Sequence, residues 1–270
     1  MKILLNSLEL IKELKKKHHL GFVPTMGSIH KGHEYLIKRS KKECKTTIVS
    51  IFINPTQFNS VKDFENYPKS FSKDLKILKR LKIDFVFLPK VKDIYKLKRK
   101  KKIFINKKDK ILCAKYRKGH FEGVLDVMDR LTNLIKPNKI YMGEKDFQQV
   151  YLVKKFIEKK YFTKVIKCKT IRNKKNVALS SRNLLLSNKF MKIASNVVLE
   201  LKKIKKIIPK QIDIDQFLKI KSLYLIKKYK IKIEYLELRK KNNLEKSKSY
   251  KYSKLFIAYY INKIRLIDNL

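Results

Sequence analysis

The chain has 270 residues, of which 44% are hydrophobic, so it is long enough to form one large domain or two. Its formal net charge is +46, but 60 of the 69 basic residues are Lys and only nine are Arg, the better bidentate reader of phosphates and base edges. The lysines are spread along the whole chain and form no single basic stripe, so compositional drift explains the charge better than a nucleic-acid surface does. We therefore expect no specific nucleic-acid partner.

Two further classes are excluded by the bulk properties. No apolar stretch approaches 18 residues, and the amphipathic residues 1–17 lack the continuous apolar run of a signal peptide. The three cysteines are far apart and odd in number, which argues against a disulfide framework and suits a reducing compartment. The sequence therefore predicts a cytoplasmic protein without a membrane partner.

Short apolar runs alternate with helix-period segments through the first two-thirds of the chain. Continuous apolar runs are typical of strands buried on both faces, whereas surface helices repeat their apolar residues every three or four positions. This alternation predicts an α/β fold with a doubly wound parallel (Rossmann-like) sheet in the N-terminal domain. The predicted strands are residues 20–24, 47–53, 84–88, 139–142 and 164–171, and the predicted helices are residues 34–44, 70–81, 124–135 and 147–159.

The pattern changes after about residue 183. Two amphipathic helices are followed by strand signals, and the last two strands are joined around Asn262, a residue that tolerates left-handed turns. This order predicts a smaller α+β C-terminal domain, with domains 1–178 and 179–270. The Lys-rich residues 96–102 and the loop 240–251 are predicted to be solvated and mobile. The C-terminal helices are predicted at residues 187–207 and 213–229, and the strands at 231–238, 254–260 and 263–267.

Residues 24–33 read Pro-Thr-Met-Gly-Ser-Ile-His-Lys-Gly-His and follow the first predicted strand. His30 and His33 stand where a helix should begin, and residues three apart lie on the same side of a helix. A helix N-terminus offers free backbone N–H groups and a partial positive charge to a phosphate chain, and glycines let the backbone come close to it. The pattern resembles the His-x-Gly-His signature of nucleotidyl-transferring enzymes. A loop with two solvated histidines is the alternative.

Polar segments also follow other predicted strands. They span residues 54–58, 143–149 and 171–183. Ligands of doubly wound sheets bind at the carboxyl ends of the strands, where these segments converge. We therefore expect the functional site at that edge of the sheet.

Seven segments, in order and at sensible spacing, resemble the pantoate–β-alanine ligase family over nearly the whole chain. The resemblance implies ATP-dependent condensation of (R)-pantoate with β-alanine through a pantoyl adenylate, with release of AMP and pyrophosphate. It also implies a homodimer formed through the N-terminal domain. Another His-x-Gly-His nucleotidylyltransferase is the alternative, although it has no reason for Gln57 or for the Gln148–Gln149 pair. The matching segments are residues 24–33, 50–58, 67–68, 117–123, 143–149, 179–183 and 265–269.

Catalytic side chains are predicted from the charge that adenylation develops. The pantoate carboxylate attacks the α-phosphate of ATP, so negative charge must be neutralised where it forms. Four cations or hydrogen-bond donors arrive from three loops, and the resemblance implies that the second histidine of the signature is the proton donor, here His33. The predicted catalytic residues are His33, His30, Lys145 and Arg182.

The ATP-binding prediction adds the residues that flank these four. Ser180 and Ser181 resemble a second phosphate clamp in which Arg182 takes two phosphate oxygens, although a helix N-cap is the alternative. The resemblance implies mainly backbone contact near Ile171. The predicted ATP-binding residues are Met26, Gly27, Ser28, Ile29, His30, Lys31, Gly32, His33, Gly143, Glu144, Lys145, Asp146, Ile171, Leu179, Ser180, Ser181 and Arg182.

Neutral amides are predicted to hold the acid substrate. Gln57 and Gln149 each carry a donor and an acceptor, which suits a hydroxy acid whose charge must stay available for attack. The resemblance assigns pantoate to both and places Gln57 near β-alanine as well. Mg²⁺ is expected with ATP, and Asp146 is a candidate for contact with either Mg²⁺ or the ribose. His120 and Arg117, before the third long helix, are predicted either to line the site or to be structural.

Three departures from the family pattern bear on substrate geometry. Lys175 and Asn176 replace a common Asp-Gly pair, and Asn can still adopt the left-handed conformation that a turn requires. Asp126 stands where the family commonly has Thr, and Arg130 where it has Lys.

Overall fold

The computed structural model describes residues 1–59, 61–95 and 102–270, which form two compact units. The first comprises Met1–Lys110 with Arg117–Thr170, and the second comprises Ile111–Tyr116 with Ile171–Leu270. The chain enters the second unit first at Ile111–Tyr116 and again from Ile171. The boundary after residue 178 stays a prediction. Residues 96–101, most of the Lys-rich stretch predicted to be solvated, lie outside the described part.

The first unit contains a six-stranded sheet in which every pairing is parallel. Its central strands are continuous apolar runs, and Phe22, Val23, Ile48 and Val49 are completely buried. The predicted doubly wound parallel sheet is confirmed. The strands are β1 (Lys2–Leu4), β2 (Leu20–Thr25), β3 (Thr46–Ile51), β4 (Phe85–Phe87), β5 (Lys139–Gly143) and β6 (Lys164–Cys168), in the spatial order β1-β4-β3-β2-β5-β6.

The helices match the predicted periodic segments, with two informative shifts at their starts. The second helix begins at Lys31, because His30 supplies its N-cap. The third long helix begins at His120, because Gly119 adopts a left-handed conformation with φ 77° just before it. The helices are α1 (Ser7–Leu14), α2 (Lys31–Glu43), α3 (Val61–Glu65), α4 (Phe71–Arg80), α5 (Val91–Tyr95), α6 (Cys113–Tyr116), α7 (His120–Ile135), α8 (Phe147–Lys160), α9 (Asn188–Ile207) and α10 (Ile214–Tyr229).

The strand order fixes where a ligand can enter the first unit. From β2 the sheet grows through β3 and β4 on one side and through β5 and β6 on the other. The loops after β2 and β5 therefore separate at the carboxyl edge of the sheet, the topological switch point where open α/β sheets bind ligands.

The second unit is a small α+β domain, as predicted. Three antiparallel strands, β7 (Lys232–Lys240), β8 (Ser253–Ile261) and β9 (Ile264–Asn269), pack with α9 and α10 around an aliphatic core. Asn262 turns the chain between β8 and β9 with φ 53°, as its left-handed tolerance predicts. The loop 240–251 is not wholly solvated as predicted, because Leu244 is 1% exposed and its carbonyl accepts a hydrogen bond from Arg239 Nη1 at 2.7 Å.

Within the described residues, no helix is both long and apolar enough to cross a bilayer.

Candidate active site

The start of α2 holds two histidine side chains in one arrangement. The Gly32 N–H donates to His30 Nδ1 at 3.1 Å, and the His30 N–H donates to His33 Nδ1 at 3.4 Å. The two imidazole rings stack, with centroids 4.0 Å apart and 27° between their planes. Because both Nδ1 atoms accept, each neutral ring carries its proton on Nε2. The pair therefore presents two N–H donors from one side of the helix start.

Both rings are neutral at pH 7 in the ligand-free protein. Burial, with a smaller contribution from the nearby Lys145 ammonium, lowers the pKa of His30 to about 4, whereas the Asp146 carboxylate opposes the shift. Burial also lowers the pKa of His33 to about 3, with a smaller contribution from His30, whereas the Asp146 carboxylate opposes the shift. A bound triphosphate would raise both pKa values, because negative charge favours the imidazolium. The sequence predicted that these histidines act either as cations or as hydrogen-bond donors. In the protein without ATP, both are neutral hydrogen-bond donors.

The backbone N–H groups at this helix start are less available than predicted. Ser28 and Ile29 donate theirs to the two carboxylate oxygens of Asp74, each at 2.7 Å. Those of His30 and Gly32 are taken by the imidazole nitrogens. The prediction of free N–H groups is therefore wrong for these four, because the Asp74 carboxylate and the two imidazoles accept them.

Lys145 and Asp146 reach the histidines from the loop after β5. Lys145 Nζ lies 3.0 Å from Asp146 Oδ1, and its side chain is 16% exposed against 44% for Asp146. Both residues act electrostatically on both imidazoles. The two loops that flank the switch point therefore bring a pair of neutral donors and a partly buried cation into one place.

Gln57 lies in a short 3₁₀ turn, Pro55–Gln57, after β3. Arg117 Nη1 donates to His120 Nε2 at 2.8 Å, which leaves the proton of His120 on Nδ1, and this atom donates to the Gln57 carbonyl at 2.7 Å. Arg117 Nη2 donates to the same carbonyl at 3.3 Å. Of the two roles that the sequence left open for His120 and Arg117, these contacts favour holding the turn. His120 is the first residue of α7, not part of the segment before it.

The same turn packs closely against α7. The buried Asn54 accepts from the Thr56 N–H at 3.3 Å and donates to the Gly123 carbonyl at 3.2 Å. A Cβ atom at Gly123 would lie 2.4 Å from the Thr56 carbonyl oxygen, closer than real Cβ contacts allow. Gly123 is therefore required where the helix meets the turn that carries Gln57.

Two of the family departures form a pair. Arg130 Nε donates to Asp126 Oδ1 at 3.1 Å, one helical turn away. The Arg130 guanidinium also lies over the Tyr95 ring, 4.7 Å from its centroid, and the Tyr95 hydroxyl donates to Asn54 Oδ1 at 2.8 Å. Asp126 and Arg130 thus interact with each other. Arg130 is also connected to the Gln57 turn, because Tyr95 contacts both Arg130 and Asn54.

In the second unit, Ser180 caps the 3₁₀ turn Ser181–Leu185 by accepting from the Arg182 N–H at 3.3 Å. The Ser180 hydroxyl therefore acts as an N-cap, which was the alternative to phosphate binding. The Leu179 N–H donates to the Ile171 carbonyl at 2.9 Å and closes the preceding hairpin. Asn176 lies in that hairpin with φ 65°, so it does adopt the left-handed conformation that replaces the family's glycine.

Sequence reasoning missed an ion pair that anchors this hairpin. Arg172 donates to both carboxylate oxygens of Asp268, at 2.6 and 2.8 Å. Arg265 likewise pairs with Glu234 at 2.6 Å. The matching segment 265–269 is thus explained by structure, since its charged residues are engaged within the second unit.

The predicted site residues divide between the two units. Those in the first unit are Met26, Gly27, Ser28, Ile29, His30, Lys31, Gly32, His33, Gln57, Gly143, Glu144, Lys145, Asp146 and Gln149, and those in the second are Ile171, Leu179, Ser180, Ser181 and Arg182.

The strand order and the paired histidines at the switch point define an α/β protein of the nucleotide-binding, His-x-Gly-His class. The family model described as pantoate-beta-alanine ligase matches residues 4–270, and the chain belongs to that family. The predicted family is confirmed.

Relatives cover nearly the whole chain. The pantothenate synthetase of Cytophaga hutchinsonii is 38% identical over 97% of this chain and 95% of its own length. That of Francisella tularensis subsp. novicida is 39% identical over 95% of this chain and 90% of its own length.

Solved structures show the same fold. Pantothenate synthetase from Thermus thermophilus superposes with a TM-score of 0.92 at 28% identity, covering 100% of this chain and 99% of that one. Pantoate-beta-alanine ligase from Francisella tularensis, complexed with beta-gamma ATP and beta-alanine, gives a TM-score of 0.84 at 36% identity, covering 100% and 97%.

Proposed function

We propose that this chain condenses (R)-pantoate with β-alanine at the expense of ATP, forming pantothenate through a pantoyl adenylate. The observation that carries the proposal is the stacked His30–His33 pair beside Lys145 at the switch point. Family membership supports it, as does the ligand-bound Francisella relative.

In the first step, a pantoate carboxylate oxygen attacks the α-phosphorus, and the bond to the oxygen that bridges the α- and β-phosphates breaks. Pyrophosphate leaves with that oxygen. The Nε2–H groups of His30 and His33 and the Lys145 ammonium stabilise the charge that develops on the phosphate oxygens. The negative charge of bound ATP would favour protonation of His33. The protonated ring would then act as the proton donor. Arg182, with Ser180 and Ser181, is proposed to bind phosphate oxygens as well.

In the second step, the β-alanine amine attacks the acyl carbon and loses a proton, and AMP leaves with the oxygen that it shared with the acyl group. Gln57 and Gln149 are proposed to hold pantoate through neutral hydrogen bonds. Neutral groups orient the acid without neutralising the carboxylate that must attack. This is why amides suit the role better than Lys or Arg would.

Mg²⁺ is proposed to enter as part of the substrate, bound to ATP phosphates. Asp146 is the candidate carboxylate, and it already pairs with Lys145 at 3.0 Å. Among the described residues there is no group of three or more His, Cys, Asp or Glu that could hold a metal ion. These residues suit a Mg²⁺ ion that is bound mainly by the ATP phosphates, and not one coordinated entirely by the protein. Mg²⁺ in such sites is usually bound by only one or two protein carboxylates.

A homodimer formed through the first unit and a cytoplasmic location are also proposed. The dimer rests on family membership. The location is supported by Cys44, Cys113 and Cys168, which are all free and buried, as expected in a reducing compartment. No sequence-specific nucleic-acid partner is proposed.

Product analysis by mass spectrometry tests the reaction. With ATP, pantoate and β-alanine, we expect AMP, pyrophosphate and pantothenate in equal amounts. Without β-alanine, pantoyl adenylate should persist, because exclusion of water protects reactive intermediates. ADP and phosphate as products would reject the mechanism. Inertness towards pantoate, with adenylyl transfer to another phosphate acceptor, would favour a different nucleotidylyltransferase.

A further inference from the structure

Asp74 belongs to the first turn of α4, yet its carboxylate contacts the loop after β2. Oδ2 accepts from the Ser28 N–H and Oδ1 accepts from the Ile29 N–H, both at 2.7 Å. The residue is only 1% exposed. Both oxygens are thus engaged by adjacent backbone groups 45 and 46 positions earlier in the chain. Hydrogen bonds of this charge-assisted kind are roughly twice as strong as neutral ones.

The loop that Asp74 holds has an uncommon conformation. Gly27 and Ser28 lie in the left-handed region, with φ 81° and φ 54°. For a residue with a side chain this conformation costs about 1–3 kcal/mol and persists only where the surroundings impose it. A Cβ atom at Gly27 would lie 3.0 Å from Asp74 Oδ2. The loop and the carboxylate are therefore fitted to each other.

This loop leads directly into the histidine pair. Ile29, whose N–H is held by Asp74, immediately precedes His30, and the His30 ring is tied to the helix by the Gly32 N–H. His33 is tied in turn to the His30 N–H. The direction in which the two Nε2–H groups point is thus set by hydrogen bonds that begin at Asp74 and are joined through the backbone of Ile29 and His30.

We propose that Asp74 is a positioning residue for adenylation, which fixes the loop before α2 so that His30 and His33 face the phosphates together. This inference rests on the proposed function for the identity of the reaction. Asp74 acts through the histidines and needs no contact with ATP. It requires two acceptor oxygens, which only a carboxylate offers in this geometry. An Asn side chain would present an NH₂ group to one of the two backbone donors.

The test compares Asp74→Asn with Asp84→Asn. Asp84 is a matched control because its Oδ2 also accepts a backbone N–H, that of Thr47, at 2.8 Å, but at the amino end of the sheet. Single-turnover formation of pantoyl adenylate measures the chemistry. Long-range ¹H–¹⁵N spectra of the histidine rings report which nitrogen carries each proton, a signature that loss of stability alone would not move.

We expect Asp74→Asn to slow adenylation by about 10- to 100-fold, the scale of a misplacement near 1 Å. It should also change the His30 and His33 signals while KM for β-alanine stays the same. Asp84→Asn should do none of this. If Asp74→Asn does not fold, Asp74→Glu keeps both acceptor oxygens and displaces them by one methylene, so it should show the same pattern in weaker form.

Two results would overturn the proposal. One is a variant at Asp74 with wild-type adenylation and wild-type histidine spectra. The other is equal loss of adenylation in the Asp74 and Asp84 variants without any change in the histidine signals. If the wild-type protein itself forms no pantoyl adenylate, the proposed function fails, and the spectra alone still decide whether Asp74 positions the histidines.

Discussion

The two ends of the six-stranded sheet carry different kinds of polar residue. At the carboxyl end, the imidazoles of His30 and His33 are partly buried and fixed by hydrogen bonds to the backbone. At the amino end, an open groove of about 1090 Å³ is lined by several lysines, among them Lys76, Lys79 and Lys82, which are all exposed. The amino end has more formal charge, whereas the carboxyl end has more fixed geometry.

The contrast shows which feature marks function in a chain with this composition. Lysines occur everywhere, so their presence at a surface carries little information. At the amino end, Lys2 pairs with Glu13 at 2.8 Å, but the lysine side chain is 59% exposed. Surface pairs of this kind contribute only about 0–1 kcal/mol. At the carboxyl end, by contrast, the side chains of His30 and His33 are partly buried and held by hydrogen bonds, and they face the same side. This difference between the two ends can be tested.

The largest effect is expected from His33→Ala. Removing one stabilising donor typically costs about 10²–10³ in rate, or roughly 3–4 kcal/mol. Single-turnover adenylation should fall by that factor while the protein stays folded. Lys76→Gln combined with Lys79→Gln, at the amino end, serves as the matched control and should leave the rate unchanged. Full single-turnover activity in His33→Ala would remove this histidine from the mechanism.

Much of this contrast could be predicted from sequence, because it depends on local patterns. Apolar runs predicted the central strands, and the spacing of His30 and His33 placed both rings on one side of a helix. The short strand β1 was missed, since three residues that pair only with β4 leave no periodic signal. Asp74 was missed for a related reason. On a helix with three lysines and one arginine it is predicted to be an ordinary solvated carboxylate, and only the tertiary fold brings it to a loop 45 residues away.

The free energy of unfolding should be sensitive to substitution at Gly123, where α7 packs closely against the Gln57 turn. Gly123→Ala would place a Cβ atom 2.4 Å from the Thr56 carbonyl oxygen, so α7 or the Gln57 turn must move. Overpacking of this kind typically costs about 1–3 kcal/mol. Urea denaturation should show that loss for Gly123→Ala. It should show little loss for Gly143→Ala, where a Cβ atom would meet nothing within 4 Å. Equal stability of the two variants would contradict the packing argument.

Gln57→Ala should separate the substrates. The side chain is proposed to bind pantoate, and one net hydrogen bond contributes about 0.5–1.5 kcal/mol, so KM for pantoate should rise by up to about tenfold. KM for ATP should change little, because the phosphates are assigned to the histidines and Lys145. Steady-state kinetics with each substrate varied in turn make the comparison. A larger change in KM for ATP than for pantoate would reassign Gln57 to the nucleotide.

The partly buried histidines should also make the free energy of unfolding depend on pH. Their folded pKa values, about 3 for His33 and about 4 for His30, lie below the ordinary value of 6.5, so the unfolded chain binds more protons within that window. The free energy of unfolding should therefore rise with pH up to about 6.5 and fall as the solution is acidified. His33→Gln should flatten this slope by at most about 1.4 kcal/mol per pH unit, the value for one proton. An unchanged slope in His33→Gln would mean that this ring is not buried in its neutral form.

The smallest effect on catalysis is expected at the lysine-lined groove itself. Replacing Lys76, Lys79 and Lys82 with Gln should weaken adsorption to duplex DNA and reduce the salt slope by about 0.9 for each phosphate that the protein no longer neutralises. Ligation should not change. A strand of six residues at about 3.3 Å each separates the two ends by roughly 20 Å, which is well beyond the Debye length of about 8 Å at physiological salt.

If the lysines reflect compositional drift, adsorption to DNA should be weak, independent of DNA sequence and abolished as salt increases. A tight, sequence-selective complex at physiological salt would contradict this interpretation, because dispersed lysines supply attraction but no means of reading a base.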